Sequence, residues 1–246
     1  MALQDRPVLG ILELDEGLAP DSPRLVPREG SLLNPATFDR EIITEMVEGA
    51  FVDVIIQGDP SLEDACLEAA RRLVDRGADV ICADCGFLIR HQAAVSAAVN
   101  VPVALSSLLL VPTLLRQLPT AQKLAVITAD SRHCTEDMLG IDKLDERSRV
   151  VIGGIENGEY VRNQLVRPSV RVSVDQIERE VASCVQQLRD KHPDIAILLF
   201  ECTGFPVVAA AMRRTTGLPI YDVTDLCRMT LASVTVPIRN EHRRGL

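Results

Sequence analysis

The sequence predicts an α/β protein of two similar parallel-sheet α/β domains related by pseudo-twofold symmetry, with the active site in the cleft between them. Three observations carry this expectation. Apolar, β-branched runs alternate with longer helical patterns along most of the 246 residues, the pattern of right-handed βαβ units and a mostly parallel sheet. Residues 79–109, DVICADCGFLIRHQAAVSAAVNVPVALSSLL, lie over residues 196–226, AILLFECTGFPVVAAAMRRTTGLPIYDVTDL, at one shift of 117 (201 − 84, 202 − 85, 219 − 102). That shift places Asp84 on Glu201, Cys85 on Cys202, Pro102 on Pro219 and Ser107 on Thr224. VLGILELD at 8–15 and LAVITADS at 124–131 extend the match at a shift of 116 (124 − 8), so a duplication spans about 7–110 and 123–226.

Taken in order, strands are expected at 8–14, 51–56, 79–83, 101–105, 123–128, 149–153, 195–200 and 218–221, where apolar and β-branched residues cluster between turn formers. Helices are expected at about 60–76, 87–99, 107–117, 174–191, 205–216 and 223–233. The stretch 16–40, with its Pro and Gly, reads as an irregular loop, and a loop of that length in a compact enzyme is usually a functional segment or lid. Because Thr224 copies Ser107, where the chain first leaves domain one, the first domain is expected to hold 1–105 plus 223–246 and the second 106–222.

A chain of this length with 47% hydrophobic residues can bury a sizeable core. Its net charge of −9 argues against nucleic-acid binding, which needs clustered Lys and Arg. The basic stretches, Arg213-Arg214 and the tail Arg239 to Arg244, read as a solvated helix face and a frayed end. No apolar run is long enough to cross a bilayer and the amino terminus lacks signal-peptide character, so a cytoplasmic protein with no membrane partner is expected, with room for a homo-oligomer. The seven cysteines then read as reduced thiols.

Cys85 and Cys202 stand where a strand hands over to a helix, the place where parallel sheets bind ligands. The positive end of the helix dipole lowers a thiol pKa there, whereas the neighbouring Asp84 and Glu201 raise it if their side chains come close, and either structural or tuning roles suit those acids. Two thiols on opposite walls of a cleft suit chemistry at a carbon next to a carboxylate: one removes the proton as thiolate, the other returns one from the opposite face. Competing chemistries fit less well. Cys82-Ala-Asp-Cys85 spells a redox dithiol, but Cys82 belongs to the strand and Leu199 takes its place in the copy. A phosphatase-type Cys-x5-Arg loop fails because Arg90 falls one residue early. There is no zinc spacing and no nucleotide-binding glycine motif, so neither a metal nor a nucleotide is expected. His91 reads as surface helix, His133 as a remote candidate for the cleft, and Cys66, Cys134, Cys184 and Cys227 as small apolar fillers on helices.

The motifs A-D-C-G-F at 83–87 with V-P-V-A-L-S-S at 101–107, and E-C-T-G-F-P at 201–206 with G-L-P-I-Y-D at 217–222, resemble the aspartate/glutamate racemase superfamily; N-P-A-T-F at 34–38 looks like a block of its uncharacterised Asp/Glu/hydantoin racemase-like members. The resemblance implies a cofactor-independent racemase or epimerase of a small carboxylate-bearing substrate such as an amino acid or hydantoin, with Cys85 and Cys202 as opposing acid and base. It further implies that Gly86, Phe87, Thr203 and Gly204 offer backbone N–H groups to the carboxylate, that Ser106, Ser107 and Thr128 stand at strand ends nearby, and that Asn34 and Thr37 close the site from the loop. Each of these small residues reads equally as a cap or turn former. Gly204 where glutamate racemases carry His after Cys-Thr, and Gly86-Phe87 where many members carry Asn-Thr, argue against glutamate itself as substrate. Two other readings stay open: a maleate isomerase-like or decarboxylase-like enzyme on a small dicarboxylic acid, and a non-catalytic carboxylate sensor.

Overall fold

The structure, a computed structural model, describes residues 6–19, 22 and 25–234. In chain order its elements are β1 (Leu9–Glu13), β2 (Ile42–Met46), α1 (Val52–Gln57), α2 (Glu63–Asp75), β3 (Val80–Ala83), α3 (Gln92–Ala98), β4 (Val103–Ala104), α4 (Val111–Gln117) and β5 (Lys123–Thr128). The chain continues through α5 (Leu144–Arg147), β6 (Val150–Gly154), α6 (Glu159–Gln164), α7 (Val174–Lys191), β7 (Ile195–Phe200), α8 (Pro206–Thr216), β8 (Ile220–Tyr221) and α9 (Val223–Ser233). Two four-stranded sheets result, ordered β2-β1-β3-β4 and β6-β5-β7-β8, with every pairing parallel. The second order is the first with each strand number raised by four, and β8 begins 117 residues after β4 (220 − 103).

Successive residues of the second sheet point to opposite faces, both of them covered. Leu124, Val126, Ile197 and Leu199 join the core that also fills the first sheet, whereas Ala125, Ile127, Leu198 and Phe200 pack with residues of α7 and α8. The helix after β4, α4, packs on β5, and α9 returns to β3 and β4. There the buried Cys227 and Cys82 sulfurs lie 2.7 Å apart. A capping box holds the start of α9: the Asp222 carboxylate accepts from the Thr224 N–H at 2.7 Å while Asp225 accepts from the Asp222 N–H at 3.2 Å. Residues 235–246, including the basic tail, lie outside the described residues.

Three expectations change. The run 51–56 is not a strand but α1, bounded by Phe51 in extended conformation and by left-handed Gly58, and it buries Ile55 and Ile56. A short apolar run is ambiguous between strand and helix; the edge strand is the half-buried Ile42–Met46 instead. His91 is buried, only 5% exposed, at the end of a 3-10 turn. Cys134 is buried in a loop rather than on a helix.

Candidate active site

Both cysteines leave their sheets in the same way. Beyond β3, the Asp84 N–H donates to the Leu12 carbonyl at 2.8 Å; beyond β7, the Glu201 N–H donates to the Ile127 carbonyl at 2.8 Å. Each strand is thereby tied to the first strand of its own sheet one residue before the thiol. The chain then turns tightly, Leu88 N–H closing onto the Cys85 carbonyl and Phe205 N–H onto the Cys202 carbonyl, each at 3.1 Å. Two residues past each cysteine, the Phe87 and Gly204 N–H groups hydrogen-bond the respective sulfurs.

Cys85 and Cys202 line one pocket of about 240 Å³, which suits a small molecule. Its walls come from both halves, and Tyr160 of α6 places its hydroxyl 3.7 Å from the Cys202 sulfur. The cover is made by two segments clasped together. From the 16–40 loop, the Arg28 guanidinium donates to the Val172 carbonyl; from the segment after α6, Arg171 donates to the Val26 carbonyl at 3.0 Å and the Ser169 N–H to the Glu16 carbonyl at 3.3 Å. Arg167 pairs with Asp53 at 2.6 Å and lies 3.8 Å over the Phe51 ring. The pocket thus presents Arg28, Arg167 and Arg171 as cations and Asp15, Glu16, Asp53, Asp84 and Glu201 as acids, with Arg167 and Asp53 paired to each other.

A family model described as AroM protein matches residues 43–118. Dimethylsulfoniopropionate lyase 3 of Emiliania huxleyi is 27% identical over 246 residues, a match that covers 95% of this chain and 61% of that protein, so the chain spans about three fifths of its relative's length. Among solved structures, allantoin racemase from Klebsiella pneumoniae superposes with a TM-score of 0.58 at 11% identity, over 92% of this chain and 86% of that one. Unliganded arylmalonate decarboxylase superposes with a TM-score of 0.53 at 18% identity, over 92% and 93%. The fold is therefore shared with these racemase and decarboxylase structures. The two are named for different reaction classes, decarboxylase and racemase, so the shared fold carries no single chemistry.

Of the residues that the superfamily resemblance singles out, Cys85, Cys202, Gly86, Phe87, Thr203 and Gly204 line the pocket. Asn34, Thr37, Ser106, Ser107 and Thr128 do not, because each side chain is engaged in holding the fold. Asn34 caps a 3-10 turn by accepting from the Ala36 N–H at 3.0 Å, and Thr37 donates to the Ser31 carbonyl at 2.7 Å. Ser106 accepts from the Leu108 N–H at 3.2 Å, Ser107 donates to the Phe200 carbonyl at 2.8 Å, and Thr128 donates to Glu201 Oε2 at 2.7 Å. The Thr203 hydroxyl likewise donates to the Asp84 carbonyl at 2.9 Å, across the two halves. His133 stays outside, with its Nδ1 3.3 Å from the Asp130 carboxylate.

Of the two opposing influences expected on the thiols, the raising one prevails. Burial, then the Glu201 carboxylate, pushes the Cys85 thiol well above its ordinary value; burial and the same carboxylate push Cys202 up to about 12, against the Gly204 N–H and the Tyr160 hydroxyl. Neither cysteine stands directly at an α-helix start: Cys85 opens a 3-10 turn, and α8 starts only at Pro206. At neutral pH both are therefore thiols. The acids move too, with burial raising Asp84 to about 8, helped by Glu13 and Glu16, and Glu201 to about 7. Burial lowers the Arg28 pKa, with Arg171 adding to the effect and Tyr160 opposing it.

Two glycines are required by close approach. A Cβ on Gly86 would collide with the Glu201 carboxyl and carbonyl, and one on Gly204 would collide with the Tyr160 hydroxyl. Tyr160, Arg28 and Arg171 were missed by sequence reasoning. The only available signals were that Tyr160 is one of two tyrosines and that Arg28 lies in the long loop. Among the described residues, no group of His, Cys, Asp and Glu is arranged to hold a metal ion, and no helix is long and apolar enough to cross a membrane.

Proposed function

We propose that this protein moves a proton at the carbon next to the carboxylate of a small molecule, with Cys85 and Cys202 as acid and base and no group beyond its own side chains. The observation that carries the reading is that the two thiols, from equivalent strand ends of the two sheets, line one pocket. Arg28 and Arg171 are the cations suited to the substrate carboxylate, a pairing worth more in a partly dehydrated site than in water. One thiol, once ionised, takes the α-proton. The other gives its proton to the opposite face of the resulting carbanion, and the product is the mirror-image or epimeric carbon. Since both thiols rest protonated, one must first pass its proton to a base, and Glu201, a pocket acid raised only to about 7, is the candidate.

A second reading is favoured by the sequence relatives and by the acids of the pocket. Acidic side chains beside the arginines suit a substrate with a cationic end as well as a carboxylate. If that end is a sulfonium on the β-carbon, removal of the α-proton expels it with the C–S bonding pair. Dimethylsulfoniopropionate would then give dimethyl sulfide and acrylate, with the proton left on the thiol. One experiment separates the two readings: proton NMR in D2O with amino acids, hydantoins, small dicarboxylic acids and dimethylsulfoniopropionate. Loss of the α-proton signal with inversion supports racemisation, and appearance of vinyl protons supports elimination. Neither signal from any member of the panel, with binding intact, would leave the sensor reading in place and defeat the proposal.

A further inference from the structure

The helix that carries Tyr160, α6, is only six residues long, and a helix that short does not hold itself: its first N–H groups have no partner within it, and an isolated run of such length is marginal. Its N-cap, Gly158, has no side chain to offer. The missing acceptor comes from α7. Glu180 Oε1 accepts from the Glu159 N–H at 2.6 Å and Glu180 Oε2 from the Tyr160 N–H at 3.2 Å, while Gln176, one turn back on α7, donates to Oε1 at 2.6 Å and fixes the carboxylate. Gly158 lets that carboxylate approach, since a Cβ there would strike Glu180 Oε2. Buried Ile177, Val181, Cys184 and Val185 anchor α7 in turn. The ring of Tyr160 is held separately, 5.9 Å from Phe205, which packs edge-on at 5.7 Å against Phe200, the last residue of β7. Backbone and ring together aim the hydroxyl at the Cys202 sulfur, 3.7 Å away.

We infer that Glu180 is a positioning residue that acts through Tyr160: by holding the start of α6 it keeps the phenol at Cys202, so that α7 governs the reactivity of one thiol of the pocket and leaves the other alone. Glu180 does not itself line the pocket, so whatever it does to Cys202 passes through α6. A hydroxyl that donates to sulfur favours the thiolate, and Tyr160 gives Cys202 this help. The inference rests on the proton-transfer reading of the pocket, in which a thiol must ionise, but its test needs no substrate.

The test is the rate at which iodoacetamide alkylates Cys202 at a fixed alkaline pH, read by mass spectrometry beside Cys85 in the same sample. Tyr160→Phe should slow Cys202 by about tenfold or less, the worth of one hydrogen bond, and leave Cys85 unchanged. Glu180→Ala should slow Cys202 by as much or less, again without touching Cys85. The two substitutions together should slow Cys202 no more than Tyr160→Phe alone, because both remove the same interaction. Glu180→Gln keeps the length and one acceptor oxygen and should slow Cys202 less than Glu180→Ala; if Glu180→Ala does not fold, Glu180→Gln takes its place in the cycle under the same criteria. A Cys202 rate that the Glu180 substitution leaves unchanged or raises, an equal slowing of Cys85, or a double variant slowed by the product of the two factors would overturn the inference and leave Glu180 as a helix cap. Failure of the racemase and lyase assays with the expected alkylation pattern intact would sink only the proposed reaction.

Discussion

The Cys85 and Cys202 ends of the pocket share a backbone plan and differ in their side-chain partners. In both, the strand is tied to its neighbour one residue before the thiol, and an N–H two residues later reaches the sulfur. The Glu201 carboxyl bears on both thiols, but only Cys202 has the Tyr160 hydroxyl at 3.7 Å. Repeated topology supplies two equivalent stations for a proton. The side chains then make those stations unequal, since one of them alone has a tyrosine hydroxyl as partner.

The largest test of this comparison removes a station altogether. Replacing Cys85 or Cys202 by serine should lower steady-state turnover by about 10²–10⁴-fold, the usual worth of a general acid or base, with both variants equally crippled. A variant that keeps wild-type turnover would reduce that cysteine to a wall residue. Next in size are the two glycines. Gly86→Ala should cost about 1–3 kcal/mol of stability by overpacking, read from denaturant unfolding, because Glu201 presses on it with backbone as well as carboxyl. Gly204→Ala meets mainly the tip of the Tyr160 side chain and should cost less.

A third effect is pH dependence. Burial raises Glu201 to about 7 and Asp84 to about 8, above the ordinary values of 3.8 and 4.5 for Asp and Glu, so the folded protein binds more protons than the unfolded chain between those limits. Stability from these groups is therefore complete below the unfolded pKa values and is lost as pH rises through the folded ones. Glu201→Gln should remove at most one proton's share of that slope, about 1.4 kcal/mol per pH unit, from unfolding measured between pH 5 and 7. An unchanged slope would mean that Glu201 is ionised in the folded state. The smallest effect is Tyr160→Phe. Losing a hydrogen bond that favours the Cys202 thiolate should slow alkylation of Cys202 by about tenfold or less and leave Cys85 untouched.

The legible part of the fold was its local chemistry. Strand, acid, cysteine and turn follow one another within a few residues, and proline opens the short strand after each helix, so both copies could be aligned by eye. β2 was not legible because Ile42–Met46 is a half-buried edge strand with a polar centre, while the more apolar run after it folds as α1. Within the site, the thiols and the turn residues around them were readable; their partners were not. Tyr160 reaches Cys202 across 42 residues and Arg28 reaches Val172 across 144, separations that no local pattern encodes. The small polar residues Asn34, Thr37, Ser106, Ser107 and Thr128 looked like ligand contacts because caps and binding groups use the same side chains. Opposing influences on the thiols were readable, from the turn and from the neighbouring acids, but not the burial that comes first among the causes raising both.

The claim that the thiols from the two sheets serve opposite faces of one carbon is tested most directly by hydrogen exchange in each single variant. With a substrate on which the wild type acts as a racemase, each enantiomer is incubated in D2O and the α-proton is followed by NMR with Cys85→Ser and with Cys202→Ser. The account predicts that the wild type exchanges both enantiomers, that each variant exchanges only one, and that the two variants show opposite preference. Exchange of the same enantiomer by both variants, or of both enantiomers by either, would contradict it.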